Sequence, residues 1–192
     1  MLFFEMIIAA FASIFTENLV LSKGLGSSTM IMASRSRKQL MGVSVCITYF
    51  STLCSVILYF IGKLKFIKFD TAYAPMIYTL VVGAVYCGTL FVLIFASPKM
   101  FARFKNYIHL SAFNCSVLGC LMINTAENET FFDYLNFGFF SGVGFLTSAY
   151  MLKIAYNRLN SENVPLSFRG YPAILIYIGI LSMAIYGFVA NN

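Results

Sequence analysis

The stretch "FNCSVLGC", residues Phe113 to Cys120, sets an asparagine, a thiol and a hydroxyl side by side inside an otherwise apolar run. Cys115 is the residue there with the sharpest chemistry, because a thiolate is a soft ligand for transition metals. Its neighbours Asn114 and Ser116 are polar side chains where leucines would serve in a lipid-bound helix. The other cysteines, Cys46, Cys54, Cys87 and Cys120, also fall in apolar runs, where a free thiol behaves as a small hydrophobe. No pair has the CxxC spacing of a zinc or dithiol centre, and five is an odd number for a disulfide framework. Each cysteine taken alone reads as packing.

A second chemical cluster lies near the start. Glu17, in "TENLVLSKGLG", is a carboxylate inside an apolar run, which serves ion coupling, caps a broken helix or pairs with Lys23. Lys23 either snorkels or balances negative charge. Glu5 reaches the interface. His109, beside Asn106 and Tyr107, reads as interfacial ahead of a metal ligand, and Gly138, Gly142 and Gly144 as helix-packing positions ahead of substrate contacts. Arg169 follows Pro165 in a loop and either docks a soluble partner or anchors the chain. No flavin-attachment or nucleotide-binding motif is present.

The elements that must position these groups follow from composition. Of 192 residues, 60% are hydrophobic and 10% charged, whereas soluble domains carry about 25% charged residues. So few polar groups cannot cover a water-facing surface. Against the roughly 20 residues that cross a bilayer, the apolar runs give spans at Leu2–Leu21, Leu40–Gly62, Tyr73–Ser97, Ile108–Ala126, Tyr134–Tyr156 and Tyr171–Ala190. The expected fold is all-α: one integral membrane domain, residues 1–192, in the lipid bilayer. The opening "MLFFEMIIAAFASIF" lacks a basic start and reads as a retained first span rather than a signal peptide.

Charge sets the orientation. The loops after spans one, three and five hold nine basic residues: Arg35, Arg37, Lys38, Lys99, Arg103, Lys105, Lys153, Arg158 and Arg169. The alternate loops hold three, Lys63, Lys65 and Lys68, together with the acidic Glu127, Glu129 and Asp133. The positive-inside rule puts the first set in the cytoplasm and both termini outside. The net charge of +6 is then an orientation signal at the inner leaflet, and no nucleic-acid partner is expected.

Two spans are not written as straight helices. "NLVLSKGLGSSTMIMAS" places Gly24, Gly26, Ser27 and Ser28 where a helix should continue, and a discontinuous helix packed in protein accounts for it. Asn18-Leu19-Val20-Leu21 in span one is echoed by Asn114-Cys115-Ser116-Val117-Leu118-Gly119 in span four. Three spans per half invert the second half, so the expected plan is two inverted repeats, about 1–97 and 108–192, with broken helices one and four meeting near the midplane.

"TENLVLSKGLG", "FNCSVLG", "FGFFSGVGF" (Phe137–Phe145) and "NVPLSFRG" (Asn163–Gly170), in that order and spacing, resemble the A-type subunit of the Rnf complex and the E-type subunit of the sodium-translocating NADH:quinone oxidoreductase. The resemblance covers essentially the whole chain. It implies a non-catalytic subunit of a ferredoxin:NAD oxidoreductase complex in the bacterial inner membrane, coupling electron transfer to sodium or proton movement. It also implies an inverted paralogous membrane protein, resembling the E-type subunit of the Rnf complex, and further subunits as partners. A 2Fe–2S cluster is then shared between the two proteins, two ligands from each. Cys115 matches one ligand position, on the interior face of a broken helix.

At the other position the resemblance fails. Where the family reads Leu-Gly-x-Cys, this chain reads Leu25-Gly26-Ser27-Ser28. A serine hydroxyl gives up its proton far less readily than a thiol, so a mixed-ligand cluster would be weaker and shifted in potential. Three outcomes follow: a cluster with Ser28 as ligand or with that site filled otherwise, a degenerate subunit without a cluster, or rescue by another cysteine. Cys120 is a poor rescuer, since it lies roughly 140° around the helix from Cys115. A small secondary carrier on the same repeat is the competing class of function.

Overall fold

In a computed structural model, the described residues are 14–15, 18–63, 73–96, 98–127, 129–162 and 164–189. They form helices and turns, and there is no strand among them. The helices are α1 (Leu19–Lys23), α2 (Ser27–Ser34), α3 (Arg37–Lys63), α4 (Ala74–Ala96), α5 (Pro98–Ala112), α6 (Cys115–Glu127), α7 (Phe131–Leu159) and α8 (Tyr171–Val189). Local chemistry sets several of their ends. Pro98 opens α5, where its missing N–H costs nothing. Thr130 caps α7 by accepting from the Asp133 N–H, and its hydroxyl donates back to the Asp133 carboxylate at 2.5 Å.

Three helices, Arg37–Lys63, Ala74–Phe95 and Phe131–Leu159, are long and apolar enough to cross a membrane. A fourth crossing is available if Phe104–Ala112 and Cys115–Glu127, bent by 46° at their junction, act as one broken span. The apolar stretch of α8, Tyr171–Gly187, is shorter. Expected spans two, three and five are thus present as long helices. Span four starts earlier than Ile108, because the helix runs unbroken from Pro98. Of span one, Ile14, Phe15 and the residues from Asn18 onward are described. Glu5 and Glu17 lie outside the described residues, as do Lys65 and Lys68.

The centre of the bundle is the lengthwise packing of α3 on α7. A Cβ at Gly142 would lie 2.4 Å from the Thr48 Cα, and one at Gly138 would lie 2.8 Å from the Ser55 hydroxyl oxygen. The two backbones therefore approach closely, as the small-residue reading of these glycines requires. The Ser51 hydroxyl donates to the Gly138 carbonyl at 2.7 Å. Asn124 brings α6 into this seam, donating to the Ser55 hydroxyl at 2.9 Å and the Tyr134 carbonyl at 3.1 Å. Phe50, Leu58, Leu121, Phe145 and Leu152 are fully buried around it.

The two ends of the bundle differ in charge. The Lys153 ammonium donates to the Arg35 carbonyl at 2.8 Å, which brings the turn after α2 to the last turns of α7. Gly42, in the second turn of α3, packs against the ring of Tyr107, in the last third of α5. At the opposite end Tyr59 packs against Phe131 and Tyr134, with ring centroids 5.4 and 5.5 Å away, and the Lys63 ammonium sits over the Tyr59 ring. The basic set around Arg35, Arg37, Lys38, Lys153 and Arg158 is thus separated along the bundle from Glu127, Glu129 and Asp133.

Candidate functional site at the paired helix breaks

The first break is made by glycine. α1 stops at Gly24, whose φ of 72° is left-handed and whose N–H turns back to the Leu19 and Val20 carbonyls. Two residues on, Gly26 has φ 81° and begins α2. A residue with a Cβ would be strained at either position. Gly26 is doubly constrained: an added Cβ would come within 2.9 Å of the Ser116 Cβ and 3.1 Å of the Asn114 side-chain oxygen.

The second break is made by asparagine. α5 ends at Ala112, Phe113 and Asn114 leave the helix, and α6 starts at Cys115. The Asn114 Oδ1 accepts from the Ser116 N–H at 3.1 Å, satisfying one of the orphan donors of the new helix. Asn18 does the same for α1, accepting from the Leu21 N–H at 3.2 Å. The two asparagines then diverge. Asn18, fully buried, donates through Nδ2 to the Gly144 carbonyl at 2.9 Å and the Ser148 hydroxyl at 2.7 Å. Asn114 is 4% exposed, and its Nδ2 has no partner among the described residues.

The breaks touch each other. The Ser116 hydroxyl donates to the Leu25 carbonyl at 3.3 Å, and the Leu25 side chain lies over Gly119, where an added Cβ would meet its Cδ1 at 2.2 Å. α8 secures the first break from behind, with the Ser182 hydroxyl donating to the Leu21 carbonyl. Segments about 90 residues apart in the chain are joined at the points where both helices are interrupted.

Cys115 does not lie on the interior face of its helix. The buried residues of α6 are Ser116, Val117, Gly119, Cys120, Leu121 and Asn124, and Cys115 is exposed. The inward stripe is fixed by Ser116, Gly119 and Cys120 at helical spacing, which turns the thiol outward. Ser28 is exposed too, two residues beyond Gly26. Cys115 and Ser28 therefore flank the contact between the breaks and face out of the chain. Cys46, Cys54 and Cys120 are buried, and Cys87 is exposed. Among the described residues no three His, Cys, Asp or Glu side chains gather to hold a metal ion.

The earlier start of the helix places His109 within the broken span, one turn before the break. Its Nδ1 lies 2.5 Å from the Tyr86 hydroxyl on α4, and Tyr86 also packs against Phe113, 5.4 Å between ring centroids. The sequence carries one signal for Tyr86, a phenol at the middle of an apolar run and away from the ends where tyrosines usually sit. Lys23 is exposed, and Arg169 is half-buried with an unpartnered Nε.

Residues 6–190 match the family described as Rnf-Nqr subunit, membrane protein. The chain is similar to the A-type subunit of the ion-translocating oxidoreductase complex of Shewanella sediminis (strain HAW-EB3), with 29% identity over 185 residues and 96% of each chain covered. It is 28% identical over 177 residues, 92% of each chain, to the protein of the same name from Psychromonas ingrahamii. With its two helix breaks in contact and a match spanning nearly its whole length, the chain belongs to the Rnf-Nqr family of membrane proteins.

Proposed function

We propose that this chain is an integral membrane subunit of an ion-translocating redox complex of the Rnf type, located in the bacterial inner membrane with both termini outside the cytoplasm. Relatives along nearly the whole chain carry the name of the A-type subunit of such a complex. In this reading residues 1–192 are one domain of two inverted three-helix halves. The direct contact between the Asn18 and Asn114 segments carries the proposal, because two interrupted helices that meet inside a bundle make a polar site where lipid cannot supply one.

The exposed thiol of Cys115 suits a 2Fe–2S cluster shared with an inverted paralogous protein, since a partner can reach only a ligand that faces out of this chain. Ser28 supplies the second, weaker position. The unpartnered Asn114 amide is a donor suited to a sulfur or thiolate held at its neighbour. The cluster would supply a one-electron relay, while this chain fixes the depth of its ligands through the two capped breaks.

Ser28 favours a second reading, a cluster-free structural subunit or small secondary transporter on the same fold. Iron analysis and electron paramagnetic resonance on the intact purified assembly separate the two. Under the first reading, Cys115→Ala removes a cluster signal and lowers bound iron, and Ser28→Cys moves the potential of that signal. If wild type and Cys115→Ala have equal iron and identical spectra, the cluster-free reading stands.

A further inference from the structure

We infer that the groove between α3, α4 and α5 is a binding site for an anionic phospholipid, with one acyl chain between the helices and the phosphate held by cations at the groove's basic end. The groove encloses about 550 Å³. Its walls include Val45, Tyr49 and Leu53 on α3, Gly88 on α4, and Met100 and Phe104 on α5. Val45, Tyr49 and Met100 are exposed, so the groove opens outward from the bundle.

Its width selects the occupant. On α3 the lining runs from Val45 to Ile57, about 18 Å of helix. Spread over that length the cavity is about 6 Å across, whereas a helix with its side chains is about 10–12 Å in diameter. A partner's transmembrane helix therefore does not fit inside, and an extended hydrocarbon chain does. The polar atoms of the wall agree. Thr89 donates to the Val85 carbonyl at 2.7 Å, so in its 3.3 Å contact with Tyr49 it is the phenol that donates. Both hydroxyl hydrogens are engaged within the chain, and the wall offers an occupant apolar contact.

Charge selects the lipid. The Tyr78 hydroxyl near the start of α4 lies 2.7 Å from the Thr125 hydroxyl of α6, whose neighbour Asn124 reaches Ser55 and the start of α7 at Tyr134. Helix α4 therefore starts at the acidic end of the bundle and finishes, about 34 Å later, at the basic one. Helix α5 begins there, two residues after α4 ends. Its Lys105 ammonium folds back over the Phe101 ring, 5.9 Å from the centroid, beside the first turn where Met100 lines the groove. The exposed row of α3 runs from Val45 back through Met41 to Arg37, with Lys38 next to it. Lys99 and Arg103 also belong to α5, and the three helices contain no carboxylate. Unbalanced cations at the mouth of an apolar channel suit a head group of net negative charge ahead of a zwitterionic one.

Gly88 makes the test direct, because an added Cβ there meets nothing within 4 Å. Gly88→Leu fills the groove while removing a glycine from a helix interior. The full chain in detergent is titrated with dioleoyl phosphatidylglycerol or dioleoyl phosphatidylcholine and read by native mass spectrometry, alongside Gly88→Leu and a double variant, Arg37→Gln with Lys105→Gln. The expected result is one tightly bound phosphatidylglycerol, preferred over phosphatidylcholine by about tenfold. The double variant, changed only at exposed side chains, loses the preference. Gly88→Leu weakens phosphatidylglycerol binding by about tenfold with helicity unchanged. Equal binding of the two lipids by wild type overturns the inference, as does a preference that survives in the double variant. In the intact assembly, both variants should retain less phosphatidylglycerol than wild type. Equal retention means that another subunit covers the groove, and the inference falls. None of these readouts involves iron or Cys115, so failure here is distinguishable from failure of the cluster reading.

Discussion

Asn18 and Asn114 occupy matching places and do different work, which shows how much a single residue type leaves open. Both cap a half-helix by accepting an N–H of its first turn; the sequence pairs the two asparagines but does not give that role. What the second face of each amide does is not legible either, because Gly144 and Ser148 lie more than 120 residues away from Asn18. Asn18→Ala removes the cap and the two amide bonds to the Gly144 carbonyl and the Ser148 hydroxyl in a buried site, so it should destabilise the chain by about 2 kcal/mol. A lowered unfolding midpoint in detergent would record this, and Asn114→Ala, which loses only the cap, should cost about half as much. The exposed thiols make a separate prediction. A small maleimide should modify Cys87 and Cys115 in the isolated solubilised chain and spare Cys46, Cys54 and Cys120. Assembly with the partner protein should then protect Cys115, as mass spectrometry of the labelled peptides would show.

At the scale of helices, apolar length and glycine placement carry most of the reading. Three long helices fall where the runs of apolar residues put them, and the glycines at 24 and 26 end one helix and begin another. The start of span four is hidden because Lys99, Arg103 and Lys105 read as a loop, whereas they ride on a helix that continues inward to Ala112. Helix rotation is hidden as well: analogy places the thiol at 115 inward, while Ser116, Gly119 and Cys120 claim the inward stripe. Two glycine substitutions should separate rigid from yielding contacts. Gly142→Ala drives a methyl toward the Thr48 backbone at 2.4 Å and should cost about 3 kcal/mol, seen as loss of monodisperse protein on size exclusion. Gly119→Ala meets only the tip of Leu25, which can turn aside, and its cost of about 1 kcal/mol is partly offset by better helix propensity.

For the molecule as a whole, the sequence shows which charged segments belong together before any contact is known. The bond from Lys153 to the Arg35 carbonyl and the aromatic group around Tyr59 set those segments at opposite ends. Ser161→Cys and Glu129→Cys should accordingly label from opposite sides of sealed vesicles, with residue 161 reached from the cytoplasmic side under the proposed orientation. The first break depends on the second half of the chain. Leu21 waits for Ser182, 161 positions later, and Asn18 for Ser148, 130 positions later. At ribosomal speeds of about 5–20 residues per second, the nascent protein spends on the order of ten to thirty seconds with its opening segment lacking the groups that will hold it. A translocon, a chaperone or an already finished companion must shelter Asn18 during that interval, which makes a stalled or shortened translation product a ready target for membrane proteolysis.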